Sequence, residues 1–248
     1  MTSRFIDGPN GRLAWRRVDG AGPGVVWLGG YRSDMTGTKA GRLADWAEAS
    51  GRAFLRFDYS GHGESGGVFE DGCISSWFAD ASFVFDRLTE GPQILVGSSM
   101  GGWIACLLAL ARSERVAGIV FVAPAPDFTE ELMWKGFTEA QKAALMRDGR
   151  LEIPSDYGPE PDVVTNRLIE DGRDNLILGR AGAITCPVRI LQGMKDPDVP
   201  WRHALRLAEA LGSEDLLVTL SGDGDHRLSG PADLDRLVAA VESLRAEG

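Results

Sequence analysis

Three cysteines and three histidines in 248 residues leave little room for several kinds of chemistry. Cys73, Cys106 and Cys186 are too few and too scattered for a disulfide framework or a structural zinc site, and free thiols fit a reducing compartment. Positive charge is also scarce: 26 Lys and Arg face 36 Asp and Glu, a net charge of −10. Binding to nucleic acid or to an anionic membrane surface calls for the opposite balance. No apolar run suits a membrane span. The most hydrophobic stretch, 94–111, is broken at its centre by Gly97-Ser98-Ser99-Met100-Gly101-Gly102. Residues 1–17 lack the apolar core of a secretory signal, and the expectation is a cytoplasmic protein. With 44% hydrophobic and 25% charged residues, the chain reads as one globular domain over 1–248.

What is present is an alternation of short apolar runs with longer amphipathic ones. Val25-Val26-Trp27-Leu28, Ala53–Phe57, Ile94-Leu95-Val96, Ile119–Val122, Val188–Leu191 and Leu216–Leu220 are each rich in strand-forming residues and closed by a breaker or a polar residue. Arg12–Val18 is more polar and reads as an edge strand. Helical patterns lie between them, at 38–49, 75–88 and 100–111. The last helix has Gly230 as N-cap and Pro231 in its first turn. Strand–helix alternation implies a mostly parallel sheet with helices on both faces, and in such sheets active residues gather in loops at the carboxyl ends of the strands.

The alternation breaks between Ala125 and Ala183, where helical patterns occur without a clear strand. Asp127 with Glu130 and Thr138 with Gln141 have capping-box spacing, and 163–178 is a further helical pattern. Residues 125–183 are expected to form a helical lid over the carboxyl edge; ordinary crossover helices are the alternative. Trp134, Phe137, Leu145 and Met146 either pack this segment onto the body or line a groove for an acyl chain.

Gly97-Ser98-Ser99-Met100-Gly101 matches G-x-S-x-G between a strand and a helix. A nucleophile on so sharp a turn needs small neighbours two residues away on both sides. Gly97 and Gly101 provide them for Ser99, whereas Ser98 has Met100 at that distance. The turn also frees the Met100 N–H at the helix start to bind an oxyanion. A serine of this kind needs a base. His62 follows a strand too early, and His203 lies inside a helical run. His226 follows the last strand, where the order Ser…Asp…His ends. Asp196, at the end of the preceding parallel strand, is the expected orienting acid. Asp198, Asp223 and Asp225 are rivals, the first on a next-but-one residue that should face elsewhere. The second oxyanion donor is expected from Leu28-Gly29-Gly30-Tyr31, as the Tyr31 N–H, with the Gly30 N–H as alternative. Gly61-His62-Gly63-Glu64-Ser65-Gly66 matches G-x-G-x-x-G, but a loop-like stretch follows where a dinucleotide site needs a helix to open at once.

These residues resemble the α/β-hydrolase superfamily, and within it the branch of palmitoyl-protein thioesterases and acyl-glucuronide esterases with their bacterial relatives. The resemblance is carried by Gly30-Tyr31 with Gly37-Thr38-Lys39-Ala40, by Arg56-Phe57-Asp58-Tyr59-Ser60-Gly61, by 91–99 with Gly101-Gly102-Trp103, by Cys186-Pro187-Val188-Arg189 and 193–201, and by Asp225-His226-Arg227. It implies an α/β-hydrolase fold and a serine hydrolase with Ser99, Asp196 and His226 as triad and the Tyr31 and Met100 amides as oxyanion donors. It also implies acyl esters or thioesters of small molecules or of acylated proteins as substrates. No metal or organic cofactor and no nucleic acid partner is implied. The same triad acting on another bond, in a peptidase or a carbon–carbon hydrolase, is the alternative.

Overall fold

The computed structural model describes residues 2–154 and 161–244. Eight strands form one sheet: β1 (Arg4–Gly8), β2 (Gly11–Val18), β3 (Ala21–Leu28), β4 (Arg52–Phe57), β5 (Gln93–Ser98), β6 (Val116–Val122), β9 (Val188–Gly193) and β10 (Leu216–Ser221). Between β6 and β9 a separate pair, β7 (Arg150–Ile153) and β8 (Asp162–Thr165), runs antiparallel. The helices are α1 (Thr38–Ser50), α2 (Ile74–Leu88), α3 (Met100–Ala111), α4 (Glu139–Asp148), α5 (Asn166–Asp174), α6 (Trp201–Ala210) and α7 (Pro231–Ser243).

The large sheet has the order β1-β2-β4-β3-β5-β6-β9-β10. The pairings β1–β2 and β2–β4 are antiparallel and all others are parallel. Side chains of the central strands alternate with period two between two cores. Val26, Leu28, Leu95, Ile119 and Phe121 meet α2, α3 and α6 on one face. Val25, Trp27, Ile94, Val96, Val120 and Val122 meet α1 and α7 on the other. Burial of a side chain such as Phe85 or Phe121 stabilises the fold by about 1.5–3 kcal/mol. α3 is apolar all round because it is covered by the sheet, α2 and residues from beyond β6.

Register decides where chemistry can occur. Leu28 stands opposite Gly97, Ser98 opposite Val122, Val122 opposite Leu191 and Gly193 opposite Ser221. The strand ends are therefore level, and the loops after β3, β5, β6, β9 and β10 emerge along one edge.

Two elements differ from the sequence reading. Arg12–Val18 is not the edge strand: β1 pairs outside it through the tight connection at Pro9-Asn10, and its residues, exposed or only half-buried, suit that position. The second difference lies within 125–183, where the sequence pattern predicts helices and no clear strand. It contains the β7–β8 pair, with Arg150 opposite Thr165 and Ile153 opposite Asp162. Val163 therefore begins no helix. The β-branched run Val163-Val164-Thr165 prefers extended backbone, and the Thr165 hydroxyl then caps α5 by accepting from the Leu168 N–H at 3.2 Å. Thr138 and Gln141 do form the expected capping box on α4. Asp127 and Glu130 do not. Asp127 sits at φ 57° and reaches across the segment, accepting from the Ile177 N–H at 2.7 Å and the Leu178 N–H at 3.1 Å, while Glu130 pairs with Arg173 at 2.7 Å. Asp127 thus clips together the two ends of 125–183.

A small core of Leu145, Val164 and Ile169, with Trp134 and Phe137 packed against it, belongs to this segment itself. Among the described residues no helix is long and apolar enough to cross a membrane.

Removing the Asp127 carboxylate strands two backbone donors, at about 1–3 kcal/mol for each that is fully buried. Asp127→Ala is therefore expected to speed hydrogen–deuterium exchange at the Ile177 and Leu178 amides by at least tenfold, while amides of β5 and β6 keep their protection.

Candidate active site

The turn from β5 into α3 carries Ser99 at φ 54°, ψ −119°. A non-glycine residue rarely adopts this backbone, and the strain is of order 1–3 kcal/mol. Local hydrogen bonds hold it. The Ser99 N–H donates to the Val122 carbonyl at 3.0 Å, and the Ser99 carbonyl accepts from Gly102 at 2.9 Å and Ala125 at 3.1 Å. The glycines have a steric reason. A Cβ on Gly101 would lie 2.0 Å from the Leu28 carbonyl oxygen, and one on Gly97 would lie 2.4 Å from the Gly101 carbonyl oxygen. The G-x-S-x-G spacing is the space the turn requires.

The loops of β9 and β10 bring the other two predicted side chains to this turn. The Asp196 side chain is fully buried. Its Oδ1 accepts from the Asp198 N–H at 2.9 Å and the Val199 N–H at 2.8 Å, and its Oδ2 lies 2.8 Å from His226 Nδ1. The tautomer that suits a carboxylate at Nδ1 has its proton on that nitrogen and its lone pair on Nε2. Nε2 lies 3.2 Å from Ser99 Oγ. The three groups are thus in one hydrogen-bonded chain, although 127 residues separate Ser99 from His226.

Of the rival carboxylates, Asp225 is occupied by the Leu228 N–H at 2.9 Å, and neither it nor Asp223 reaches His226 among the described contacts. Asp198 lies close enough that ligand atoms of Asp196, Asp198 and His226 fall within 4.8 Å of one another. That cluster is a poor cation cradle. Two ligands at about 2.1 Å in a tetrahedral site stand roughly 3.4 Å apart, farther than the 2.8 Å between Asp196 and His226.

Gln192, the penultimate residue of β9, was not singled out from the sequence. Its Nε2 donates to Asp196 Oδ2 at 3.0 Å, so this carboxylate oxygen is held from two sides. The available signal was a buried amide at the end of an otherwise largely apolar strand, which must find a partner.

On the other side of Ser99, Gly30 approaches so closely that a Cβ there would meet Ser99 Cβ at 3.3 Å. Neither the Tyr31 nor the Met100 N–H has a protein acceptor among the described residues. The Tyr31 ring is packed edge-on against Phe69, Trp77 and Phe128, and its hydroxyl donates to the Val163 carbonyl at 3.3 Å. Burial pushes this phenol up to about 12. Arg32 pairs with Asp162 at 3.1 Å. The β3 loop is therefore fastened to β8 of the 125–183 segment at two consecutive residues.

The remaining histidines do other work. His62 is buried beside Tyr59, Phe69 and Trp77, its Nδ1 faces the Ser60 carbonyl at 3.2 Å, and burial lowers its pKa to about 4. The surrounding glycines serve a turn: Gly61 and Gly63 have φ of 73° and 47°, and Asp58 braces the turn by accepting from the Glu64 N–H at 2.9 Å. His203 binds the Pro126 carbonyl through Nε2 at 2.7 Å, and burial lowers its pKa. Trp134, Phe137 and Leu145 pack within the small core of 125–183, and Met146 is exposed.

The family model described as "Serine aminopeptidase, S33" matches residues 25–157. The mitochondrial palmitoyl-protein thioesterase ABHD10 of Mus musculus is 37% identical over 233 residues, 94% of this chain and 78% of the relative. A crystal structure of a hydrolase from Agrobacterium vitis S4 shares 46% identity with a TM-score of 0.92, covering 98% of each chain. The structure of mouse α/β-hydrolase domain-containing protein 10 shares 34% identity with a TM-score of 0.91, again over 98% of each.

Adding a methyl group at Gly101 forces carbonyls of β3 and α3 apart, and overpacking of this kind costs about 1–3 kcal/mol. Gly101→Ala is expected to lower the thermal unfolding midpoint by several degrees, whereas Gly41→Ala, where a Cβ meets nothing within 4 Å, leaves it unchanged or raised.

Proposed function

The chain belongs to the α/β-hydrolase superfamily, and we propose that it hydrolyses acyl esters and thioesters through an acyl-enzyme on Ser99. The observation that carries this reading is the chain of contacts from Asp196 Oδ2 to His226 Nδ1 at 2.8 Å and from His226 Nε2 to Ser99 Oγ at 3.2 Å. Its bond specificity is supported by the mammalian relatives, which are named palmitoyl-protein thioesterases.

The mechanism follows from these positions. His226 Nε2 takes the proton from Ser99 as Oγ attacks the carbonyl carbon. Asp196 holds the ring in the tautomer that leaves Nε2 bare, and it stabilises the imidazolium that forms. Negative charge develops on the substrate oxygen, where the Tyr31 and Met100 N–H groups donate; each such donor is worth about 10²–10³ in turnover. The tetrahedral adduct collapses and the alkoxide or thiolate leaves. An alkoxide needs the proton now on His226 more than a thiolate does. Water, activated by the same imidazole, then cleaves the acyl-enzyme. Each step uses only side chains and backbone of this chain.

Residues 125–183 act in this reading as a lid, clipped together at its two ends by Asp127 and fastened to the oxyanion loop by Tyr31 and Arg32. The substrate is a small-molecule ester or an acylated protein. Three free thiols fit a cytoplasmic setting. A second reading, a peptidase with the same three residues, is favoured by the description of the matching family model.

Substrates and variants separate these readings. p-Nitrophenyl esters and acyl thioesters of graded chain length should be turned over, and aminoacyl-arylamide peptidase substrates should not; the reverse preference would establish the peptidase. Ser99→Ala should abolish turnover without loss of fold. Asp196→Asn should cost about 10³–10⁴ in kcat, because the amide favours the wrong tautomer. Asp198→Asn should cost less than about tenfold, since the carboxylate bonded to His226 Nδ1 is that of Asp196. The opposite ranking would move the orienting acid to Asp198.

A further inference from the structure

The segment Gly37-Thr38-Lys39-Ala40 opens α1, on the face of the sheet opposite α3, and the proposed mechanism leaves it without a role. Lys39 is half-buried in the first turn of this helix. Its Nζ donates to the main-chain carbonyl of Arg227, the residue after His226. The rest of the His226 loop is fixed largely from nearby. The Lys195 N–H donates to the Gly224 carbonyl at 2.9 Å, which ties the loop to its β9 neighbour. Within the loop, Asp225 Oδ1 accepts from the Leu228 N–H at 2.9 Å, and Ser229 Oγ donates to the same Arg227 carbonyl at 3.0 Å. Ser229 moves with the loop, so it cannot anchor the loop to the body. Lys39 comes from a helix 188 residues away in sequence and can.

We propose that Lys39 is a positioning residue for the hydrolytic reaction: its ammonium group holds the Arg227 carbonyl and thereby keeps the His226 ring within reach of both Ser99 and Asp196. The proposal rests on the reading of His226 as the base. Its physical basis is the narrow tolerance of the proton path. The His226 to Ser99 contact is already 3.2 Å, and an error of about 1 Å in a reacting group can cost 10²-fold in rate. A carbonyl held by an ammonium forms a charge-assisted bond, about twice as strong as a neutral one.

The groups facing Lys39 come from three places. Asp225 and Arg227 lie on the His226 loop, Asp233 lies on α7, and Arg42 of α1 is engaged by Asp235 of α7 at 3.1 Å. Burial lowers the Lys39 pKa to about 8, with Asp225 opposing the shift and Arg227 adding to it. The ammonium is therefore present below about pH 8 and is lost as pH rises through that value. The neutral amine keeps N–H donors but loses the charge that strengthens the bond.

The test compares wild type, Lys39→Met, Lys39→Arg and Ser99→Ala on a short-chain p-nitrophenyl ester between pH 6 and pH 10, with thermal unfolding of each. The expected result for Lys39→Met is a fall of about tenfold in kcat at pH 7 with KM within about twofold, since only the reacting geometry is disturbed. Wild-type kcat should decline through about pH 8. Lys39→Arg should recover most of the activity and lack that decline, because a guanidinium stays charged. Equal kcat and an equal pH profile for Lys39→Met and wild type would overturn the proposal. A loss in Lys39→Met that follows its unfolding midpoint, or a decline through pH 8 that persists in Lys39→Arg, would also overturn it. Retained turnover in Ser99→Ala would instead bring down the reading on which the proposal rests.

Discussion

A single residue in an unfavourable backbone conformation organises this molecule. Ser99 at φ 54° sits between a strand that is buried along its whole length and a helix that is apolar on every side. Only a rigid surround keeps a non-glycine residue there. That surround consists of Val122 and Ala125 on the β6 side, Gly102 within the helix, and the carbonyls of Leu28 and Gly101, which leave no space for a side chain on the neighbouring glycines. The strain, about 1–3 kcal/mol, is the cost of projecting one hydroxyl above the strand end. Packing on both faces of the sheet offsets it.

The same sheet solves the problem of assembly. Parallel strands in level register deliver the loops of β3, β5, β9 and β10 to one edge, so residues distant in sequence meet there. Asp196 is fixed by two backbone N–H groups and by Gln192 before it touches His226, so the imidazole turns toward a carboxylate that cannot rotate away. The β3 loop is fastened from the opposite side through Tyr31 and Arg32 to β8. Movement of β8 would thus be felt at the β3 loop, which adjoins the Ser99 turn at Gly30.

Much of this was legible in the amino-acid sequence because buried parallel strands advertise themselves. Val25–Leu28, Ile94–Val96 and Ile119–Val122 are short, apolar and β-branched, and each stops at a glycine, serine or proline, or just before one. Their stops mark the carboxyl edge, which is where Ser99, Asp196 and His226 lie. The 125–183 segment was legible only in part. Its strands are four residues each and pair with one another, so neither shows the long apolar run of the main sheet. Asp127 carried the spacing of a local cap but bonds to Ile177 and Leu178, about 50 residues on, which no short-range pattern encodes. The contact of Lys39 with the Arg227 carbonyl spans 188 residues and has no short-range pattern, whereas Gln192 lies four residues from Asp196 and is marked only by being an amide at the end of an apolar strand.

The central claim, that the Ser99 hydroxyl is made nucleophilic by His226, is most directly tested by labelling with a fluorophosphonate probe and mapping the adduct by mass spectrometry. The account predicts one adduct, on Ser99, whose rate of formation collapses in His226→Ala while the protein remains folded. An adduct on another residue, or labelling of Ser99 at the wild-type rate without the imidazole, would contradict it.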